Sequence, residues 1–162
     1  MTVDPAVSIV VVKKELEECG QDSFTYGWEV SNPNEAEQIV LVRMKSPVDA
    51  EQYVIELKFD NYKEYPLLIE FIDPRTGERG VKRAYPANTD GFFHQFPCIC
   101  HPCSRKAYAQ YVGGAPHPDW TLAGWQTNQG TGSLKNIRAI LRAINSRISN
   151  PEFYKGRMEK LT

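Results

Sequence analysis

Leu134, Ile137, Leu141, Ile144 and Ile148 recur at alternating steps of three and four residues, with Lys135, Arg138, Arg142 and Arg147 between them. That is the period of an amphipathic helix, and it predicts one over Ser133–Ser149, ended by Pro151. A second helix is expected from Asp4-Pro5, where an N-cap acceptor precedes proline at the first helical position. Ile9, Val12, Leu16 and Cys19 fall on one face of it, and Gly20 is the expected stop. Between the two, Ser23–Val30, Gln38–Lys45, Gln52–Phe59 and Leu67–Ile72 are rich in β-branched and aromatic residues that partly alternate. Asn32-Pro33-Asn34, Ser46-Pro47, Asp60-Asn61 and Asp73-Pro74-Arg75-Thr76-Gly77 punctuate them. The connections are short, as antiparallel neighbours allow and parallel ones do not. The pattern therefore predicts an α+β domain: an N-terminal helix, a four-stranded antiparallel meander, an irregular segment over Val81–Gly132 and a C-terminal helix packed on the sheet. Ser104–Val112 is a candidate short helix within the irregular segment.

Length and composition narrow the class. With 162 residues, 41% of them hydrophobic and 24% charged, the chain has the make-up of a globular protein and is read as a single domain over 1–162. The run Ile9–Val12 is far shorter than the roughly 20 apolar residues of a membrane span, so no membrane partner is expected, and the cytoplasm is the expected compartment. Charge is unevenly placed: residues 1–60 carry 5 basic and 12 acidic groups, and residues 133–162 carry 7 and 2. The basic face of Lys135, Arg138, Arg142 and Arg147 is open to an acidic partner or simply solvated. A net charge of -1 and a pI near 6.3 weigh against nucleic acid.

The chemistry is concentrated. His94, Cys98, Cys100, His101, Cys103 and His117 are six of the seven cysteines and histidines, within 24 residues. Thiolates and imidazoles at such density could form a zinc site, although structural zinc ligands usually come as two separated pairs. Cys100-His101-Pro102-Cys103 has the form of a redox dithiol, whose thiol pKa a helix beginning at Ser104 would lower. Nothing strand-like follows in 104–132 to complete a thioredoxin-like domain.

Order and spacing suggest a third reading. Gln52–Phe59, the turn Asp60-Asn61-Tyr62-Lys63-Glu64-Tyr65-Pro66 and Leu67–Ile72 resemble the strand, Tyr-Pro turn and strand of ubiquitin-conjugating enzymes. Tyr85-Pro86-Ala87-Asn88 stands where that family has His-Pro-Asn, Ile99-Cys100 resembles its Gly-x-Ile-Cys-Leu motif, and Trp120 before a long amphipathic helix is similar to its Trp-Ser-Pro element. The departures, with Arg105 and Tyr108 after the Cys-x-x-Cys, look closer to divergent bacterial members from ubiquitin-like conjugation operons.

The resemblance implies a carrier enzyme, needing no cofactor, that takes the C-terminal glycyl group of a ubiquitin-like protein from an activating enzyme. It holds that group as a cysteine thioester and passes it to an amine on a target. A thiolate suits this, being both a strong nucleophile and a good leaving group. Cys100 is the expected nucleophile because it follows isoleucine as the family's does, with Cys103 the runner-up and Cys98 third. Asn88 would donate to the oxyanion, or serve only in the turn before Thr89-Asp90-Gly91. Asp119, His101 or His117 could orient or deprotonate the amine, while Trp120 and Trp125 are read as packing residues. A catalytically inert binding module of the same fold is a further alternative. The family's activating enzyme docks on the first helix; here that helix offers Lys13 and Lys14, followed by Glu15, Glu17 and Glu18.

Overall fold

In a computed structural model describing residues 2–161, Asp4 does start the first helix: its Oδ1 accepts from the Ala6 amide at 2.9 Å, and α1 runs Pro5–Glu18. Gly20 does not end the helical region. After a break at Cys19 a second helix, α2, covers Gly20–Tyr26 and stops at Gly27, whose φ of 74° few side chains tolerate. The strand expected over Ser23–Val30 therefore shrinks to β1, Glu29–Val30. The helix has a visible support: Asp22, buried on α2, is fixed by the guanidinium groups of Arg138 and Arg142.

The rest of the meander is as expected. β2 (Ile39–Lys45), β3 (Gln52–Lys58) and β4 (Leu68–Ile72) follow β1 in a sheet ordered β1-β2-β3-β4, every pair antiparallel. Val42 lies opposite Ile55, and Ile55 opposite Phe71, so alternate residues line one buried face. That face and the buried helix stripe of Ile137, Ile140, Leu141, Ile144 and Ile148 belong to one apolar core.

The helix carrying that stripe, α3, spans Ile137–Ser149, four residues shorter at its start than the stripe predicts. Gly132 turns the chain at positive φ, and Asn136 caps the helix, its Oδ1 accepting from Ala139 N at 2.8 Å. Beyond Pro151 the chain adds β8, Tyr154–Arg157, which pairs antiparallel with β5, Pro86–Asn88. α3 packs against α1 and this two-stranded ribbon. No helix among the described residues is long and apolar enough to cross a membrane.

Candidate active site

The irregular segment is built on a hairpin. β6 (Phe93–His94) and β7 (Cys98–Ile99) pair antiparallel, Phe93 opposite Ile99 and His94 opposite Cys98. Cys98 and Ile99 are buried, and Cys100 is the first residue after the strand to reach the surface, half-buried. Its amide donates to the Phe92 carbonyl at 2.7 Å, and His101 N donates to the Ile99 carbonyl at 3.0 Å, a three-residue turn centred on Cys100.

Two clamps hold this turn. Tyr108 donates its hydroxyl to the Pro102 carbonyl at 2.7 Å in the core. Arg105, 4% exposed, donates to the Pro66 carbonyl at 3.1 and 3.0 Å, and to Oδ1 and the carbonyl of Asp60 at 3.0 and 2.6 Å. The planar guanidinium thus ties the cysteine segment to the Tyr-Pro turn between β3 and β4.

The next stretch returns to the cysteine. His117 N donates to the Ala107 carbonyl at 3.2 Å and Ala109 N to the His117 carbonyl at 3.3 Å, a parallel bridge that sets His117 beside the turn. His117 Nε2 lies 3.0 Å from Cys100 Sγ. The imidazole stacks face to face on Trp120, centroids 3.4 Å apart and planes 4° from parallel.

Burial raises the Cys100 thiol pKa. It lowers that of His117, opposed by the Asp119 charge and reinforced by His94. Both shifts favour an uncharged pair at rest, and in the tautomer with the ring proton on Nδ1 the thiol donates and Nε2 accepts. The thiolate then forms when the thiol proton passes to that nitrogen.

The other candidates fare differently. Cys98 and Cys103 are fully buried, and burial pushes each thiol up to about 12. His101 is drawn down to about 4, first by burial and then by the Arg147 charge, with the Gly130 backbone acting in the opposite sense. Its Nδ1 accepts from Cys103 N at 3.1 Å, so it holds the turn as a neutral ring. Asn88 sits in β5, its amide donating to Asp90 Oδ1 and its oxygen accepting from Phe93 N at 3.2 Å. One of its donors is thus engaged in the turn entering β6. Asp119 is exposed and acts on His117 through its charge.

Two alternatives are corrected. Among the described residues, no three His, Cys, Asp or Glu side chains form a group that could hold a metal ion, so the residues do not fit a zinc site. Cys98 and Cys103 are core residues, while His94 Nδ1 and His101 Nδ1 accept backbone N–H groups. The redox dithiol loses its premise as well. Where a helix was expected over Ser104–Val112 there is only a 3₁₀ turn, Arg105–Ala107, with no extended helix dipole to lower a thiol pKa. The basic face also changes meaning. Arg138 and Arg142 both bind Asp22, and Arg147 pairs with Asp90 at 3.1 Å while lying 3.9 Å over the Phe92 ring, behind the carbonyl that holds Cys100. At the other end of the chain, Lys13 is paired with Glu35 at 2.6 Å.

The sequence places His117 only as one of three candidates for handling the amine, beside Asp119 and His101. No signal in the sequence pairs it with a cysteine seventeen positions earlier, because the bridge between 107–109 and 117 joins two segments without period. No family model matches the chain, and a search of curated proteins finds no match.

Proposed function

We propose that this chain is a ubiquitin-conjugating-type carrier, a transferase that receives a ubiquitin-like protein from an activating enzyme as a thioester on Cys100. The observation that carries the reading is the Cys100–His117 contact: a half-buried thiol, 3.0 Å from an imidazole nitrogen, beside two thiols that are fully buried. The order of elements supports it as well, since a leading helix, an antiparallel meander, an irregular cysteine-bearing segment and a long amphipathic helix follow one another as in the resembled family.

In the loading step His117 Nε2 takes the Cys100 proton. The thiolate attacks the carbonyl carbon of the activated glycyl group, a C–S bond forms, and the activating enzyme's group leaves with the electron pair of the broken bond. In the transfer step an amine attacks the same carbon, the C–S bond breaks, and its electron pair returns to Cys100 sulfur. His117, neutral again because its first proton left with the activating enzyme's departing group during loading, takes the amine proton. His101 is less suited to this work, because its Nδ1 accepts from the Cys103 amide and burial, with the Arg147 charge, disfavours its protonated form.

Incubation with a cognate activating enzyme, ATP and modifier tests the reading. The expected product is an adduct that reductant destroys and that Cys100→Ala does not form. An adduct kept by Cys100→Ala and lost by Cys103→Ala would move the thioester to Cys103.

A further inference from the structure

Trp120 is the nearest aromatic partner of the imidazole, and it does more than fill space. Its ring lies parallel to His117 at 3.4 Å, while Tyr108, anchored through its hydroxyl to Pro102, packs against the same indole at 5.5 Å and 60°. The His117 backbone is fixed by the bridge to 107–109, so the indole face sets the ring's remaining freedom, its rotation about the side-chain bonds. That rotation decides whether Nε2 meets Cys100 Sγ.

We infer that Trp120 is a positioning residue for the Cys100–His117 pair, holding the imidazole against the sulfur and stabilising the imidazolium through its π face. The inference rests on the reading of Cys100 as nucleophile. Proton transfer from Sγ to Nε2 converts a neutral pair into thiolate and imidazolium. An aromatic face beneath the ring favours the charged product, because the indole quadrupole is negative there. The titratable groups acting on His117 are Asp119, which favours the charged ring, His94, which disfavours it, and Cys100 itself. Burial also opposes the charge. The indole is thus an apolar neighbour whose effect on the charged ring is favourable.

Alkylation of the native chain by iodoacetamide, followed at Cys100 by peptide mass spectrometry from pH 5 to 10, reads this directly. The thiolate attacks carbon and iodide leaves, and neither activating enzyme nor modifier takes part. Failure here therefore leaves the carrier reading standing, and failed charging with intact alkylation behaviour has the opposite meaning. Trp120→Leu, which keeps apolar volume without a π face, is expected to slow Cys100 alkylation at pH 7 by about tenfold and to move the midpoint of the profile up by about one pH unit. Trp120→Phe, which keeps a face, is expected to stay within about threefold of the unsubstituted chain. A Leu variant that matches the unsubstituted chain, or a Phe variant that falls as far as Leu, would overturn the inference. Should circular dichroism show the Leu variant unfolded, tryptophan emission decides. The Trp120 contribution, taken as the difference between the unsubstituted chain and Trp120→Phe, is expected to change with pH at the alkylation midpoint. A Trp120 contribution that stays flat across that midpoint would overturn the inference.

Discussion

Glu15 Oε1 on α1 accepts the amide hydrogen of Ile137, the first residue of α3, at 2.8 Å. A carboxylate from one helix thereby serves the open N-terminus of another, 122 positions later in the chain. The same oxygen accepts from the buried Tyr62 hydroxyl at 2.8 Å, and Oε2 lies 3.1 Å from Lys63 Nζ. Glu15→Ala would strand a buried hydroxyl and a helix-terminal N–H together. The expected loss is about 2–4 kcal/mol in urea unfolding, with an unchanged slope.

Arg105 offers a similar test closer to the site. Arg105→Ala leaves the carbonyls of Pro66 and Asp60 without their donor and frees the cysteine turn from the β3–β4 connection. Because Asp60 is partly exposed, the expected cost is about 2–3 kcal/mol rather than that of a fully buried pair. Urea unfolding gives the magnitude, and faster labelling of Cys103 in the native state would report the loosened turn.

Acid should destabilise the fold in a defined window. The Asp73 carboxyl is lowered to about 2, chiefly by the Arg75 backbone amide and also by Arg83. Asp22 is lowered too, by Arg142 and then Arg138. A carboxylate whose folded pKa lies below its unfolded value of roughly 3.9 stabilises the fold above that pH, and the contribution fades as pH falls through the folded value. Stability measured by urea unfolding is expected to decline from about pH 4 toward pH 2. In Asp73→Asn the decline should be shallower, because one group that takes up a proton on unfolding has been removed.

The two histidines flanking the nucleophile should separate cleanly. His117→Asn removes the nitrogen that takes the thiol proton, and adduct formation at pH 7 is expected to fall by about a hundredfold, the low end for a positioned base. His101→Asn keeps an acceptor for the Cys103 amide and should charge at close to the unsubstituted rate. Rates measured from pH 6 to 9 check both, and an unchanged His117→Asn would remove the base from the mechanism.

Period carries information about faces, and faces were legible. The Ile137–Ile148 stripe, the alternation in β2 and the Tyr-Pro turn before β4 each appear where the sequence predicts them. What failed depends on contacts remote in sequence. α2 forms against the β-propensity of Phe24, Thr25 and Tyr26, supported where Asp22 meets Arg138 and Arg142, over a hundred positions away. β8 was invisible because Tyr154–Arg157 contains a glycine and two basic residues, and it is a strand only through pairing with β5. At the site, the sequence singled out the cysteine cluster but ranked its members by motif. Burial is what separates Cys100 from Cys98 and Cys103, and burial of a short hairpin strand leaves no period to read.

Locating the thioester within a charged chain distinguishes Cys100 from the other cysteines. After charging, free thiols are blocked with iodoacetamide in denaturant, the modifier is released with hydroxylamine, and the newly exposed thiol is labelled with an isotopically heavy reagent before peptide mapping. Heavy label is expected on Cys100, with Cys19, Cys98 and Cys103 carrying the light reagent. Heavy label on Cys103 or Cys98, or a chain whose cysteines all remain light, would contradict a thioester on Cys100.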